Sequence, residues 1–344
     1  MDKKSSRITP EDILQEAQLL LQQTQDVNEN KGILTVRSAN KWIDQAKNRP
    51  KPEMLFDMFW YEGELCILFA DTNLGKSILA VQIGDSISKG ISIKGFKLSA
   101  KKQHVLYLDF ELSDKQFEIR YLNESNEHYS FSDDFKRVEI NPDVIPPDDF
   151  SFEDYLIVSL EQIIIDTEAK VIIIDNITYL KTENEKAKDA LPLMKQLKAL
   201  KRKYGLSILA LAHTPKRDFS KPLTKNDLQG SKMLINFCDS AFTIGQSVKD
   251  TNFRYIKQIK QRNSEEVYGS ENVIICQIEK PDTFLKFEFV AFGDEREHLK
   301  QITNSDRENN IQAAKALSAS GRSQREISTE LGISVGAVNK YLKL

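Results

Sequence analysis

Cysteine is scarce in this chain: Cys66, Cys238 and Cys276 are the only three in 344 residues, and no two form a C-x-x-C pair. That spacing excludes a disulfide framework and a cysteine-built zinc site, and it fits a reducing compartment. No apolar run approaches the roughly 20 residues that cross a bilayer as a helix. The opening stretch, "MDKKSSRITPEDILQEAQ", lacks the apolar centre of a secretory signal. A cytoplasmic location is therefore expected. An excess of one charge is missing too. Lys and Arg number 48 against 51 Asp and Glu, a net of −3, so contact with nucleic acid would have to come from local patches. There is no internal repeat and no low-complexity tract. The remaining composition, 40% hydrophobic and 29% charged, is that of a globular chain long enough for one large domain with appendages.

Residues 1–50 read as an N-terminal helical segment and linker. Thr9-Pro10-Glu11 starts a helix expected to reach about residue 25, because Pro fits the first turn and acid suits the helix N-terminus. "DVNENKG" then breaks the pattern, and "RPKPEMLF" at 49–56 reads as a linker. Across residues 51–300, short apolar runs alternate with amphipathic stretches. The runs are "LCILFA" (65–70), "HVLYLDFEL" (104–112), "VIIID" (171–175), "LSILALAH" (206–213) and "AFTIG" (241–245). Helical patterns lie near 76–89, 114–127, 152–167 and 185–204, with a capping box at Ser113 and Gln116. Strands without polar alternation are buried on both faces. The expected fold is α/β, a mostly parallel sheet flanked by helices. Three further runs, 253–263, 272–279 and 284–292, suggest an antiparallel extension at one edge. A polar stretch at 301–310 separates off a small all-helical module, residues 306–344.

The stretch "CILFADTNLGKSILAV" (66–81) nearly spells a phosphate-binding loop. The pattern is G-x-x-x-x-G-K-[ST] between a strand and a helix, with Ala70 standing at the first Gly. The cradle would comprise Ala70, Asp71, Thr72, Asn73, Leu74, Gly75, Lys76, Ser77 and Ile78. Backbone N–H groups and the helix dipole hold phosphate there. Lys76 reaches the outer phosphates, and Ser77 ligates Mg²⁺. The alternative is an ordinary strand–turn–helix with a chance GKS.

"KVIIIDN" (170–176) puts Asp175 at a strand tip, where a carboxylate orients Mg²⁺. Asp175 is followed by Asn176, so a water-positioning base has to come from elsewhere. "LYLDFEL" supplies Asp109 and Glu111, which share a face at i and i+2. Glu111 is the candidate base, with Asp109 next; the alternative is that both sit at a solvated strand tip.

The succession of strand, GKS loop, strand ending in Glu, strand ending in Asp and "LALAHTPK" resembles the RecA superfamily of ATPases. Within it, residues 55–293 resemble the RepA-like plasmid replicative helicase branch, with Ala70 as a departure. The resemblance implies a RecA-like fold, ATP and Mg²⁺ as cofactors, Glu111 as base, and His213 as sensor of the γ-phosphate. It also implies a homo-oligomer, a hexameric ring among the forms, in which Arg262 acts as arginine finger in the neighbour's site with Lys260 beside it. Read without the resemblance, Lys260 and Arg262 share a face of a solvated edge strand.

The loop "HTPKRDFSKPLTKNDLQGSK" (213–232) follows the sensor strand and carries Lys216, Arg217 and Lys221 with one aromatic, Phe219, in its basic half. Such loops track single-stranded DNA, although a solvated surface loop has the same composition. "SQREISTELGISVGAVNKYLKL" (323–344) has a helix-turn-helix rhythm. Ser323 and Glu326 form a capping box. Ile327, Leu331, Ile333, Val338 and Tyr341 take core positions, and Gly332 the turn. This module resembles the resolvase type, with Ser334, Asn339 and Lys340 outward on the second helix toward duplex DNA. A helical bundle for protein contacts is the alternative. The expectation is an ATP-hydrolysing, DNA-associated motor or helicase in replication of a plasmid or mobile element. A nucleotide-switched DNA-binding regulator and a recombination accessory protein are the rivals.

Overall fold

The chain divides between Lys51 and Pro52 into two compact units. The computed structural model describes residues 30–31, 34–177, 190–215, 217–228, 231–301 and 304–344. In the first unit, strands β1 (Asn30–Lys31) and β2 (Leu34–Thr35) pair antiparallel, and helix α1 (Ala39–Lys47) follows. The Ser38 hydroxyl caps α1 by accepting from Lys41 N. The helix expected at 9–25 lies outside the described residues.

Residues 49–56 are not simply a linker. Strand β3 (Met54–Phe56) turns at Asp57 and pairs with β4 (Trp60–Tyr61). Leu55, Phe56, Phe59 and Trp60 are almost fully buried, so this hairpin belongs to the core. Asp57 takes a left-handed φ of 41°. Its carboxylate stabilises the turn by accepting from Met58 N at 2.7 Å and Lys97 N at 2.9 Å.

The remaining strands build one nine-stranded sheet. In chain order they are β5 (Leu65–Ala70), β6 (Val105–Asp109), β7 (Phe135–Val138), β8 (Val171–Asp175), β9 (Ser207–His213), β10 (Ser240–Gln246), β11 (Phe253–Lys260), β12 (Val273–Glu279) and β13 (Lys286–Gly293). Their order across the sheet is β13-β12-β11-β10-β5-β9-β8-β6-β7. The strands from β10 to β7 run parallel, and β11, β12 and β13 extend the sheet antiparallel. Helices α2 (Lys76–Lys89), α3 (Asp114–Arg120), α4 (Phe152–Thr167), α5 (Ala190–Tyr204) and α6 (Ser231–Phe237) make the connections.

Alternate residues of the central strands feed two cores. Cys66, Leu68 and Ala70 pack with α2 and the edge hairpin, while Leu65, Ile67 and Phe69 pack with α4 and α5. Both faces are covered, which is why the sequence shows unbroken apolar runs there. Helix α2 is held against the antiparallel edge by the Gln82 side chain. It donates to Phe287 O at 3.0 Å and accepts from Phe287 N at 2.9 Å.

β9 stands between β5 and β8, the strand order of a RecA-like sheet. Ala70 pairs with His213, and Asp109 with Asp175. The phosphate loop, the carboxylates and the histidine therefore gather at one edge, the C-terminal ends of the parallel strands.

The C-terminal segment forms three helices, α7 (Asn304–Ala319), α8 (Gln324–Leu331) and α9 (Val335–Leu342). Helix α7 starts inside the polar stretch 301–310, which is thus no bare separator. Ala314, Ile327 and Val338 are fully buried as a separate small core. Ser323 and Glu326 form the expected capping box, and Gly332 takes the left-handed φ of 65° that ends α8.

Candidate nucleotide site

The loop between β5 and α2 bends through two left-handed residues, Asn73 at φ 62° and Gly75 at φ 92°. Gly75 is doubly constrained. A Cβ there would lie 2.7 Å from Ile278 Cδ1 and 2.9 Å from Phe287 Cε2. Ala70, by contrast, still lies in the strand, paired with His213 and Ile244. Its backbone is not left-handed, so alanine fits where the usual pattern has glycine.

Lys76 begins α2 and points back along the loop. Its Nζ donates to Ala70 O at 3.1 Å and Asp71 O at 3.2 Å, and lies 3.2 Å from His213 Nδ1. Burial pushes its ammonium below the usual lysine range, opposed by Asp175, Glu111 and Asp71. A group held by two carbonyls and an imidazole is placed to exchange those partners for phosphate oxygens.

Asp175 ends β8 fully buried. Its Oδ2 accepts from Tyr107 Oη at 2.7 Å, while Oδ1 has no hydrogen-bond partner. Burial pushes this carboxyl up to about 6, partly offset by the Ser77 and Tyr107 hydroxyls. A buried carboxylate oxygen without a partner carries a large desolvation cost, which a hard cation would relieve. Ser77 and Asp175 are both oxygen donors, as Mg²⁺ prefers, and Mg²⁺ keeps several waters and phosphate oxygens as its other ligands. Among the described residues no group of three or more His, Cys, Asp and Glu could hold a metal alone. These two donors suit a metal that takes its remaining ligands from water and phosphate.

Glu111 sits beyond the end of β6. Its Oε1 accepts from Asn176 Nδ2 and lies 3.4 Å from His213 Nε2. The His213 contact is the main cause holding its carboxyl below the usual range. Asp109, the other candidate, is unsuited to the role of base: its side chain is fully buried and ion-paired to Arg137 at 2.9 Å.

A cleft of about 260 Å³ joins the loop to Glu111 and His213. It is lined by Thr72, Asn73, Gly75, Lys76, Ser77 and Ile78 with Glu111, Arg120 and His213. Sequence reasoning missed Arg120 and Asn176. Arg120 ends α3, nine positions after Glu111 and outside any motif, and its Nη1 is buried without a partner. Asn176 follows Asp175 through a cis peptide and bridges Glu111 and His213, its Nδ2 2.9 Å from His213 Nε2. A groove of about 290 Å³ between β7 and α4 is mostly apolar and lies apart from this chemistry.

Lys260 and Arg262 lie at the opposite end of the sheet. Lys260 pairs with Ala241, and Ser240 with Cys66, at the start of β5. Lys260 Nζ caps the end of α6, donating to Cys238 O at 2.7 Å and to Ile235 O. Arg262 is half exposed and bonds Asp239 at 3.2 Å. Lys257, on the same strand as Lys260, is buried against Glu295 at 2.6 Å.

In the basic loop, Lys216 lies outside the described residues. Arg217 folds back over Phe219, 5.5 Å from the ring, and donates to Lys221 O at 2.9 Å. Lys221 lies 3.6 Å from Asp218. In the C-terminal module Ser334 caps α9 by accepting from Ala337 N at 3.1 Å, and Asn339 and Lys340 are exposed.

A parallel sheet with a GKS loop, a buried strand-end aspartate and a facing glutamate defines a P-loop ATPase of RecA-like fold. The model of the AAA domain family matches residues 35–218, more than half of the chain, and the chain belongs to that family. A solved KaiC-like protein from the hyperthermophilic archaeon Pyrococcus horikoshii aligns with 66% of this chain and 90% of its own, at 14% identity and a TM-score of 0.45. No curated protein matches the chain in sequence. Among the described residues no helix is long and apolar enough to cross a membrane.

Proposed function

We propose that the chain is an ATP-driven motor on DNA, a helicase or translocase serving replication of a plasmid or mobile element. It would work as a cytoplasmic homo-oligomeric ring, with a hexamer as one form. The observation that carries this reading is the pairing of a phosphate site with a three-helix module that has its own core and exposes Asn339 and Lys340. Bound ATP and Mg²⁺ supply the phosphoanhydride and the charge that draws electrons from it. Lys76 leaves the Ala70 and Asp71 carbonyls for the outer phosphates. Ser77 and Asp175 would hold Mg²⁺, and Glu111 would orient the attacking water. His213, between Lys76 and Glu111, registers whether the γ-phosphate is present.

Arg262 cannot serve its own site, since it lies at the far end of the sheet. A neighbour in a ring is the partner it suits, with Asp239 exchanged for phosphate. Lys260, tied to two carbonyls, supports that end of the chain. Mixing Arg262→Ala with Lys76→Ala should restore part of the turnover that each lacks alone. Exchange of subunits without any rescue would remove the trans role.

The rival reading is a nucleotide-switched regulator, and the folded-back Arg217 favours it because the loop then presents fewer cations to a single strand. Measuring turnover with and without single-stranded DNA, together with strand displacement, separates the two. Stimulated turnover with displacement supports the motor. Nucleotide-dependent duplex binding without displacement supports the regulator.

A further inference from the structure

We propose that Arg137 is a positioning residue for hydrolysis, acting through the turn that carries Glu111. The inference rests on reading Glu111 as the base. After Asp109 the chain must leave the sheet and aim Glu111 across to Asn176 and His213. Phe110 N still bonds Asp175 O at 2.8 Å, so the change of direction falls within the next two residues. Asp109 makes it. Its Oδ1 accepts from Glu111 N at 3.2 Å and Leu112 N at 3.0 Å, an arrangement in which a short side chain replaces ladder partners.

Arg137 locks that turn from the next strand. It stands on β7 opposite Tyr107. Its Nε donates to Asp109 Oδ2 at 2.9 Å and its Nη2 to Leu112 O at 2.7 Å, so one planar fork grips both ends of the turn. Its Nη1 donates to Asp114 at 2.9 Å and is ion-paired to Glu139, and the guanidinium lies 4.9 Å from the Phe117 ring. All its nitrogens are engaged, and it does not line the cleft. It acts on the reaction only through where it puts Glu111. A lysine would keep the charge beside buried Asp109 but could not span carboxylate and carbonyl with fixed geometry.

The test uses the full chain with Arg137→Lys, Glu111→Gln and the double variant, measuring steady-state ATPase, binding of a fluorescent ATP analogue and thermal melts. Displacing a positioned group by a fraction of an ångström to 1 Å lowers kcat by about 10- to 100-fold. Arg137→Lys should show such a loss with KM for ATP unchanged. In the Glu111→Gln background the same substitution should have less than about a twofold effect, because the group it positions no longer acts. Equal losses in both backgrounds, a rise in KM matching the loss, or wild-type kcat would each overturn the proposal. Wild-type turnover by Glu111→Gln alone would instead overturn the base reading. If Arg137→Lys does not fold, Asp109→Asn replaces it, keeping an oxygen for the two amides while removing the charge Arg137 grips. It should show the same loss confined to the Glu111 background, and wild-type kcat there would count against the proposal.

Discussion

The two ends of the parallel sheet carry similar residue types in opposite states. At the N-terminal end, Asp239 accepts from Leu65 N at 2.9 Å and Lys201 Nζ at 2.7 Å as well as from Arg262. Beside it Glu64 accepts from Tyr61 N, Ser240 and Asn263 at 3.1, 2.7 and 2.8 Å. None of these side chains has a buried atom without a partner. At the C-terminal end, Asp175 Oδ1, Arg120 Nη1 and Thr214 Oγ1 are all buried and unpaired. Saturated polar clusters fix a fold, whereas unsatisfied ones keep capacity for something that binds. The same sheet thus presents an edge whose polar groups partner one another within the chain and an edge that nucleotide would complete.

The largest expected effects break the C-terminal edge. Lys76→Ala removes a phosphate contact and should lower turnover by about 10²–10³-fold, the range for loss of one preorganised donor. Its melting temperature should stay close to that of the wild type, because Ala70 O keeps Thr214 N as its donor at 3.1 Å and the half-buried Asp71 can regain water at its carbonyl. Turnover at the wild-type rate would remove the phosphate role. The opposite edge should respond the other way round. Asp239→Ala leaves Leu65 N without its side-chain acceptor and Arg262 without its ion partner, while Lys201 keeps Gly63 O at 2.6 Å, and should destabilise the fold by about 1–3 kcal/mol. ATP affinity of the folded fraction should be unchanged. A large loss of ATP affinity with no loss of stability would erase the contrast between the ends.

The contrast was partly legible from residues alone. Unbroken apolar runs located β5, β8 and β9 because both faces of those strands are buried, and their last residues then fell on one edge. β7 gave no such signal. In "FKRV" Phe135 is buried, but Lys136 faces solvent and Arg137 serves the Asp109 turn. The helix expected over 114–127 stops at Arg120, and the chain beyond turns through Asn126 at φ 61°. Arg120 was illegible for a related reason: its value depends on where a short helix ends, which only packing decides. The i and i+2 spacing of Lys260 and Arg262 speaks to a shared face and not to their partners, which differ: Lys260 caps α6 and Arg262 bonds Asp239.

A subtler effect follows from the burial of Asp175, which pushes its carboxyl up to about 6, above the 3.8 of an ordinary aspartate. Between those values the folded chain holds more protons than the unfolded one, so this group's contribution to stability falls as pH rises through that window. Mg²⁺ binds the charged form. Thermal stabilisation by Mg·ATP should therefore be larger at pH 7.5 than at pH 5.5, and Asp175→Asn should flatten the difference. Equal shifts at both pH values in the wild type would mean that the metal does not depend on Asp175.

The smallest expected effect concerns Ala70. A phosphate loop with a true first glycine has a left-handed or tightly bent residue at that point, and replacing alanine would then restore activity. Here position 70 remains in the ladder, and its carbonyl accepts from Thr214 N at 3.1 Å as well as from Lys76. These contacts use backbone, which Ala70→Gly leaves in place. The substitution instead removes a buried methyl and adds unfolded-state freedom within a strand. It should destabilise the chain by roughly 0.5–1 kcal/mol, with KM and kcat for ATP within about twofold of the wild type. Denaturant melts and steady-state turnover measure both quantities. A gain in ATP affinity would show that the alanine restrains the loop, and that the C-terminal edge is tuned by its backbone as well as by its unpaired groups.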